Sequence, residues 1–261
     1  MRGFVKYGLE YGPAAVALAG LVVLWEIVCD IFKIPIWLLP PPSRVAMAIW
    51  EFRAILPIHF LATLYEIIGG FALAVLSGIP LAIIIVYSPF LRRVIYPLLL
   101  MVQSVPKVAI APLLLLWVGY GLESNMIVAA TVAFFPIVIN TASGLESVDA
   151  ELLELTQSLD AGTLRVFWRV RLPWALPYIF SSFKIAITLA VIGAIVAEFV
   201  GADKGLGYLI LTSSGQMQIS LMFGVLFILS VLGIICFYAV CWAERLACPW
   251  YLPITTDVIR S

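Results

Sequence analysis

Charge is what this chain has least of. Of its 261 residues only 15 are Lys or Arg and 15 are Asp or Glu, 11% together, and the formal net charge is zero. That balance offers no basic surface to a nucleic acid and no acidic surface to a cationic partner. Histidine occurs once, at His59; it is read as an interfacial side chain, and no metalloenzyme can be built on it. The four cysteines, Cys29, Cys236, Cys241 and Cys248, form no C-x-x-C pair. They read as apolar fillers, which excludes a disulfide framework and a zinc site. No Gly-Lys pair occurs anywhere, so a G-x-x-x-x-G-K-[ST] phosphate loop is absent and the chain cannot hydrolyse ATP by that chemistry alone. Nor is there a nucleophile and base constellation for a membrane-bound enzyme.

What is present is hydrocarbon. Hydrophobic residues make up 64% of the chain and the mean hydropathy is +1.13, which belongs to an integral membrane protein. A span needs about 20 predominantly apolar residues, and six stretches approach that: 13–28, 60–87, 94–117, 126–142, 174–200 and 219–243. Continuous runs of this kind predict an all-α polytopic fold, because barrel strands alternate apolar and polar over about ten residues. Arg2 and Lys6 before the first stretch imitate a secretory signal. No small-x-small cleavage pattern follows before Trp25, Glu26 and Asp30, so the segment is expected to stay as a span.

Orientation follows from the Lys and Arg residues in the connections. With the N-terminus inside, the cytoplasmic set is Arg2, Lys6, Arg92, Arg93, Arg165, Arg169, Arg171, Arg245 and Arg260, against Lys33, Arg44, Arg53 and Lys204 outside. Both termini are then cytoplasmic. The segment 33–59 is read as an outer interfacial stretch. In it Pro40, Pro41 and Pro42 halt the first helix, and Ser43 is the expected N-cap of an amphipathic helix carrying Val45, Ile49, Trp50 and Phe52.

Within the second span Gly70, Ala74 and Gly78 recur every four residues, a ladder on which another helix can approach closely. The third span holds Pro97, Pro106 and Pro112, and Pro136 is expected to interrupt the fourth. Each removes a backbone donor, and freed carbonyls at membrane depth need protein or a water-filled cavity to satisfy them. Lys107, beside Pro106 and flanked by Gln103 and Ser104, is a candidate for the translocation path together with Glu198; the alternative is a lysine near enough to one surface to snorkel. Glu66 either faces a path or pairs with Lys184.

The most informative stretch is polar. Residues 147–171 read SVDAELLELTQSLDAGTLRVFWRVR between two apolar segments. Asp149 can cap a helix with Glu151 in its first turn, and Val148, Leu152, Leu155 and Leu159 make one apolar stripe. Gly162 is the expected helix stop and Thr163 the cap of a second helical turn carrying Leu164, Phe167 and Trp168, with Arg165 and Arg169 one turn apart. Pro173 is placed where a following span opens, its missing N–H costing nothing there. The residues alone leave open whether this hairpin projects into the cytoplasm or lies on the inner leaflet.

The run Glu154, Leu155, Thr156, Gln157, Ser158, Leu159, Asp160, Ala161, Gly162, continuing through Phe167, Trp168, Arg169, Val170 and Arg171 to Leu172 and Pro173, resembles the cytoplasmic signature of membrane permeases of binding-protein-dependent ABC importers. So do residues 39–51, 134–149 and 197–210, which are similar to the nitrate, sulfonate, taurine and bicarbonate branch. Two departures are plain: Leu155 and Thr156 stand where the family has two alanines, and Asp160 stands where it has glycine. The resemblance implies a type I importer with a second permease subunit, expected as a homodimer, two cytosolic ABC ATPases and an extracytoplasmic solute-binding protein. It implies that 147–172 is the coupling segment, with Leu152, Glu154, Leu155, Leu159, Asp160, Ala161, Gly162, Phe167 and Arg169 docking the ATPase. No cofactor is expected on this chain; ATP and Mg belong to the ATPase. The solute expected is a small anion or, from the stretch 105–121, a pyrimidine-type or other aromatic solute. The rival from another class is an autonomous channel or secondary transporter, which would show internal repeats and paired intramembrane charges; no convincing repeat is visible.

Overall fold

A computed structural model describes residues 2–103 and 105–251, and among them the side chains of 16–99, 101–102, 105–106 and 109–251. Every regular element among the described residues is helical. The order is α1 (Arg2–Ile31), α2 (Pro42–Glu51), α3 (Leu56–Tyr87), α4 (Pro89–Gln103), α5 (Lys107–Val118), α6 (Leu122–Glu146), α7 (Ala150–Ser158) and α8 (Thr163–Val166). A π turn (Phe167–Arg171) follows, then α9 (Leu172–Gly201), α10 (Leu206–Gly215) and α11 (Ile219–Ala247). Four of the described rods are long and apolar enough to cross a bilayer: Leu56–Tyr87, Leu122–Glu146, Thr163–Gly201 and Ile219–Ala247.

The hub is α6, with 56% of its apolar window buried against 28% for α3. It runs parallel to α3, since Gly70 meets Ala129 and Gly78 meets Ile137, and antiparallel to α9, since Gly193 meets Ala129 and Gly144 meets Tyr178. Lipid tails are as apolar as leucine, so helices gain by close van der Waals approach rather than by hydrophobic transfer. The Gly70, Ala74, Gly78 ladder supplies it: all three are buried, and a Cβ on Gly70 would stand 2.5 Å from the Ala129 Cβ and 2.9 Å from the Met126 carbonyl. A continuous core links Ile67, Ala133, Ile137, Ala190, Leu206, Val225 and Leu232. On its flank Trp25 of α1 meets Phe223 of α11 at 6.2 Å.

Proline acts differently in the two places where an interruption was expected. The stretch 94–117 is two helices, not one span: Pro106 is the N-cap of α5, with φ −67° and ψ 94°. A residue before proline is pushed out of the α region, and Val105 and Pro106 are accordingly outside any helix, with the chain restarting at Lys107. By contrast α6 passes through Pro136 unbroken, and that residue is buried in the packing of α6 against α3 and α9 that supports the helix there. At the outer segment the N-cap of α2 is Pro41 rather than Ser43. Ser43 sits inside the first turn, where its N–H (3.0 Å) and Oγ (2.6 Å) both donate to the Glu26 carboxylate. A carboxylate from α1 thus supplies the acceptor that a capping side chain would have provided.

Lys184 pairs with Glu244 of α11 at 2.5 Å, not with Glu66, so α9 and α11 are pinned by an ion pair where both side chains are largely withdrawn from solvent.

Candidate functional site

Two places concentrate polar residues: the hairpin between α6 and α9, and a buried cluster near the far end of α9. The hairpin begins where α6 stops. Asp149 occupies the N-cap of α7, although its side chain makes no capping bond. The helix closes on Asp160, which takes the left-handed conformation with φ 48°. Its N–H donates to the Gln157 carbonyl (3.0 Å) and the Ala161 N–H to the Thr156 carbonyl (3.0 Å), the paired bonds of a Schellman cap. Asp160 therefore makes the left-handed turn itself; an aspartate tolerates αL better than most residues. Gly162 is extended instead, with φ −58° and ψ 146°, and a Cβ there would meet nothing within 4 Å. The expectation that Gly162 stops the helix is corrected, and Gly162 rather than Thr163 is the N-cap of α8.

From α8 the helix runs without a break through the π turn into α9. Pro173 is thus inside a continuous rod, not at its start. The Leu172 N–H reaches back to the Phe167 carbonyl, an i→i−5 register that widens the turn just before proline removes a donor. Such a rod of 39 residues is about 58 Å long at 1.5 Å per residue.

The apolar stripe is graded along the hairpin. Val148 is buried and Leu152 half-buried, whereas Leu155 is 55% and Leu159 72% exposed; Leu164 and Trp168 continue the free surface. Glu154, Asp160 and Arg169 are exposed and Ala161 half-buried. The Phe167 ring turns inward, 6.1 Å from Tyr87 and 5.3 Å from Trp168, against the core of Leu145, Ala175 and Ile179. Arg171 secures the same joint, donating to the Leu145 carbonyl (3.1 Å) and lying 5.6 Å over the Tyr87 ring. Leu164, Arg165, Trp168 and Arg169 line a notch of ≈ 500 Å³. The structure thus offers a fixed base and an apolar tip that no described residue covers.

Glu198 is enclosed within the chain. It is 1% exposed, accepts the Thr63 hydroxyl at 2.6 Å and accepts the Gly207 N–H. Thr63 in turn accepts the Leu206 N–H (2.7 Å), and His59 accepts the Gly205 N–H (3.1 Å) while stacking on Tyr208. Three side chains of α3 and α9, those of His59, Thr63 and Glu198, thereby satisfy the free N–H groups at the start of α10. A Cβ on Gly205 or Gly207 would overlap the Glu198 carboxyl, which is why glycine stands there. Glu66 is fully buried beside Glu198 and accepts from Asn125 at 2.8 Å. The sequence carried a signal for this latch in the Gly205-x-Gly207 doublet downstream of an intramembrane glutamate. Of the other path candidates, Ser104 and the side chains of Gln103 and Lys107 lie outside the described residues. No group of three or more His, Cys, Asp or Glu that could hold a metal occurs among the described residues.

A bundle of apolar rods, packed on small residues and carrying an exposed amphipathic hairpin, defines a multi-pass membrane protein. The family described as the inner membrane component of binding-protein-dependent transport systems matches residues 70–247, more than half of the chain, and the chain belongs to it. Among similar proteins is the formylaminopyrimidine transport permease of Halalkalibacterium halodurans, 37% identical, with 88% of this chain and 92% of that one covered. The riboflavin transport system permease of Chloroflexus aurantiacus is 35% identical over 90% and 88%. Among solved structures the inward-facing MetNI methionine ABC transporter has a chain that superposes with a TM-score of 0.65 at 19% identity, covering 76% of this chain and 98% of its own; at that identity the likeness is one of fold. The protein is a transmembrane permease subunit of an ABC importer of small solutes.

Proposed function

We propose that this subunit forms the translocation path with a second copy of itself, that its hairpin seats in two cytosolic ABC ATPases, one per copy, and that an extracytoplasmic binding protein delivers the solute. The observation that carries the reading is the hairpin tip: Leu155, Leu159, Leu164 and Trp168 are 55–72% exposed on a module whose base is locked by Phe167 and Arg171. Leucines held out from a rigid base fit a groove in a soluble partner better than they fit a structureless leaflet surface. Both termini and the hairpin face the cytoplasm in this reading, as the Lys and Arg distribution requires.

ATP and Mg are bound and hydrolysed by the partner, and this subunit contributes no catalytic group. Closure of the ATPase dimer moves α7 and α8, and the motion travels along one unbroken helix to Glu198 and the α10 latch at its far end. Nucleotide biases the inward–outward equilibrium only by contacting the two states differently, and a rod anchored at both ends transmits that difference. For the solute, the names of two similar permeases specify nitrogen heteroaromatic rings, formylaminopyrimidine and riboflavin. A heteroaromatic organic solute is the class we assign, ahead of a small anion.

The test is affinity purification of the tagged chain from its native membrane in mild detergent, with mass spectrometry of what copurifies. Recovery of a phosphate-loop ATPase is expected, and a recovered binding protein identifies the solute. A lone oligomer from a gentle preparation would instead favour an autonomous carrier.

A further inference from the structure

We infer that the groove on the outer faces of α3 and α6 is the outward leg of the solute path and that its tyrosines receive the ring of the solute. The inference rests on the importer reading and deepens it. Two concavities share a wall residue there. One of ≈ 710 Å³ is bounded by Tyr65, Tyr120, Glu123 and Ile127 beside the α5–α6 turn; the next, ≈ 360 Å³, continues past the same Ile127 to Thr131, Phe134 and Ser77. Because α3 and α6 run parallel, the shared wall is one strip descending from the turn toward the middle of the bundle.

Its chemistry sets it apart from a lipid face. Tyr65 and Tyr120 are 57% and 66% exposed. Tyr120 rests against Gly201, where a Cβ would collide with its ring, so that ring is braced and its other side is free. Below them, the hydroxyls of Thr131 and Ser77 return a hydrogen bond to their own helices, to Ile127 (2.8 Å) and Leu73 (2.7 Å), which leaves their acceptor capacity free. The Glu123 carboxylate in the same lining is stable where water reaches it, not in hydrocarbon. Among the described residues no cation lines either concavity, and Glu123 lines the upper one, so an anion meets repulsion where a neutral planar ring meets aromatic faces and hydrogen-bonding groups. The occupant is a neutral heteroaromatic solute.

The experiment uses the complete complex with its ATPase and binding protein in proteoliposomes. Ser77→Cys and Thr131→Cys are exposed to a membrane-impermeant methanethiosulfonate, against Leu76→Cys, which is exposed on a different face of α3, and against the unmodified chain with its own cysteines. Modification at Thr131→Cys at least tenfold faster than at Leu76→Cys is expected, because these reagents need a hydrated thiolate. Equal rates overturn the path assignment, whether the strip faces lipid or is sealed by the second copy. In the same vesicles, labelled formylaminopyrimidine and taurine are compared: uptake of the pyrimidine, reduced at least tenfold by Tyr65→Ala or Tyr120→Ala and retained by the Phe variants, is expected. Preference for taurine, import of neither, or indifference to both alanines overturns the solute class. ATPase copurification in each sample separates these outcomes from failure of the importer reading itself, which would show as loss of the ATPase from the unmodified chain.

Discussion

Truncating one leucine at the hairpin tip isolates the docking contribution from the fold. Leu159 is 72% exposed in the free chain, and fully burying a leucine is worth about 1.5–3 kcal/mol. Covering the exposed part in an ATPase groove therefore contributes about 1–2 kcal/mol, most of which Leu159→Ala removes. At 1.4 kcal/mol per decade, the affinity for the ATPase falls roughly 5- to 30-fold. Leu159→Asp adds the desolvation of a carboxylate in an apolar groove, several kcal/mol more, and the complex is lost. No residue of α7 is buried, so neither variant disturbs the spans, and thermal unfolding stays at the unmodified value. Leu246→Ala is the control: the side chain is 63% exposed at the end of α11, similar in area but away from the hairpin, and leaves affinity within about twofold. The assay is fluorescence anisotropy of labelled ATPase titrated with permease in nanodiscs. A Leu159→Ala affinity indistinguishable from that of Leu246→Ala would refute the docking of this stripe.

Gly70→Ala and Gly233→Ala should part company. The first drives a methyl into the α6 backbone and costs about 1–3 kcal/mol, lowering Tm by roughly 2–10 °C; the second meets nothing within 4 Å and is neutral or stabilising by up to about 1 kcal/mol. Matching shifts would mean that the α3–α6 contact is looser than described. At the hairpin turn, Asp160→Gly keeps the Schellman cap, whereas Asp160→Val puts a β-branched residue at positive φ and costs about 1–2 kcal/mol. Hydrogen exchange at the Ala161 amide should then quicken roughly 5- to 30-fold in the valine variant alone, and equal exchange in the two would rule out the cap.

Much of the reading came from one-dimensional facts. Membrane residence, helical class and the amphipathic hairpin follow from composition and spacing, because hydrocarbon demands an internally satisfied backbone whatever the neighbours are. The small-residue ladder on α3 was equally visible, since a period of four places those residues on one face. What failed locally failed for one reason. Whether Ser43 or Glu26 caps α2, whether Pro136 breaks its helix as Pro106 does, whether Asp160 or Gly162 turns the hairpin, and whether Phe167 points out or in each depend on which other segment stands alongside.

The sequence by itself determined that this chain lives in a bilayer as helices and carries an amphipathic hairpin, because those outcomes depend on hydropathy and period alone. Only the tertiary structure decided that α6 is the hub, that Lys184 belongs to Glu244, that Glu198 latches α10, and that a groove lined by tyrosine rings and hydroxyls runs along α3 and α6. Pairings and grooves are properties of residues far apart in the chain, and packing, which local pattern does not encode, brings them together.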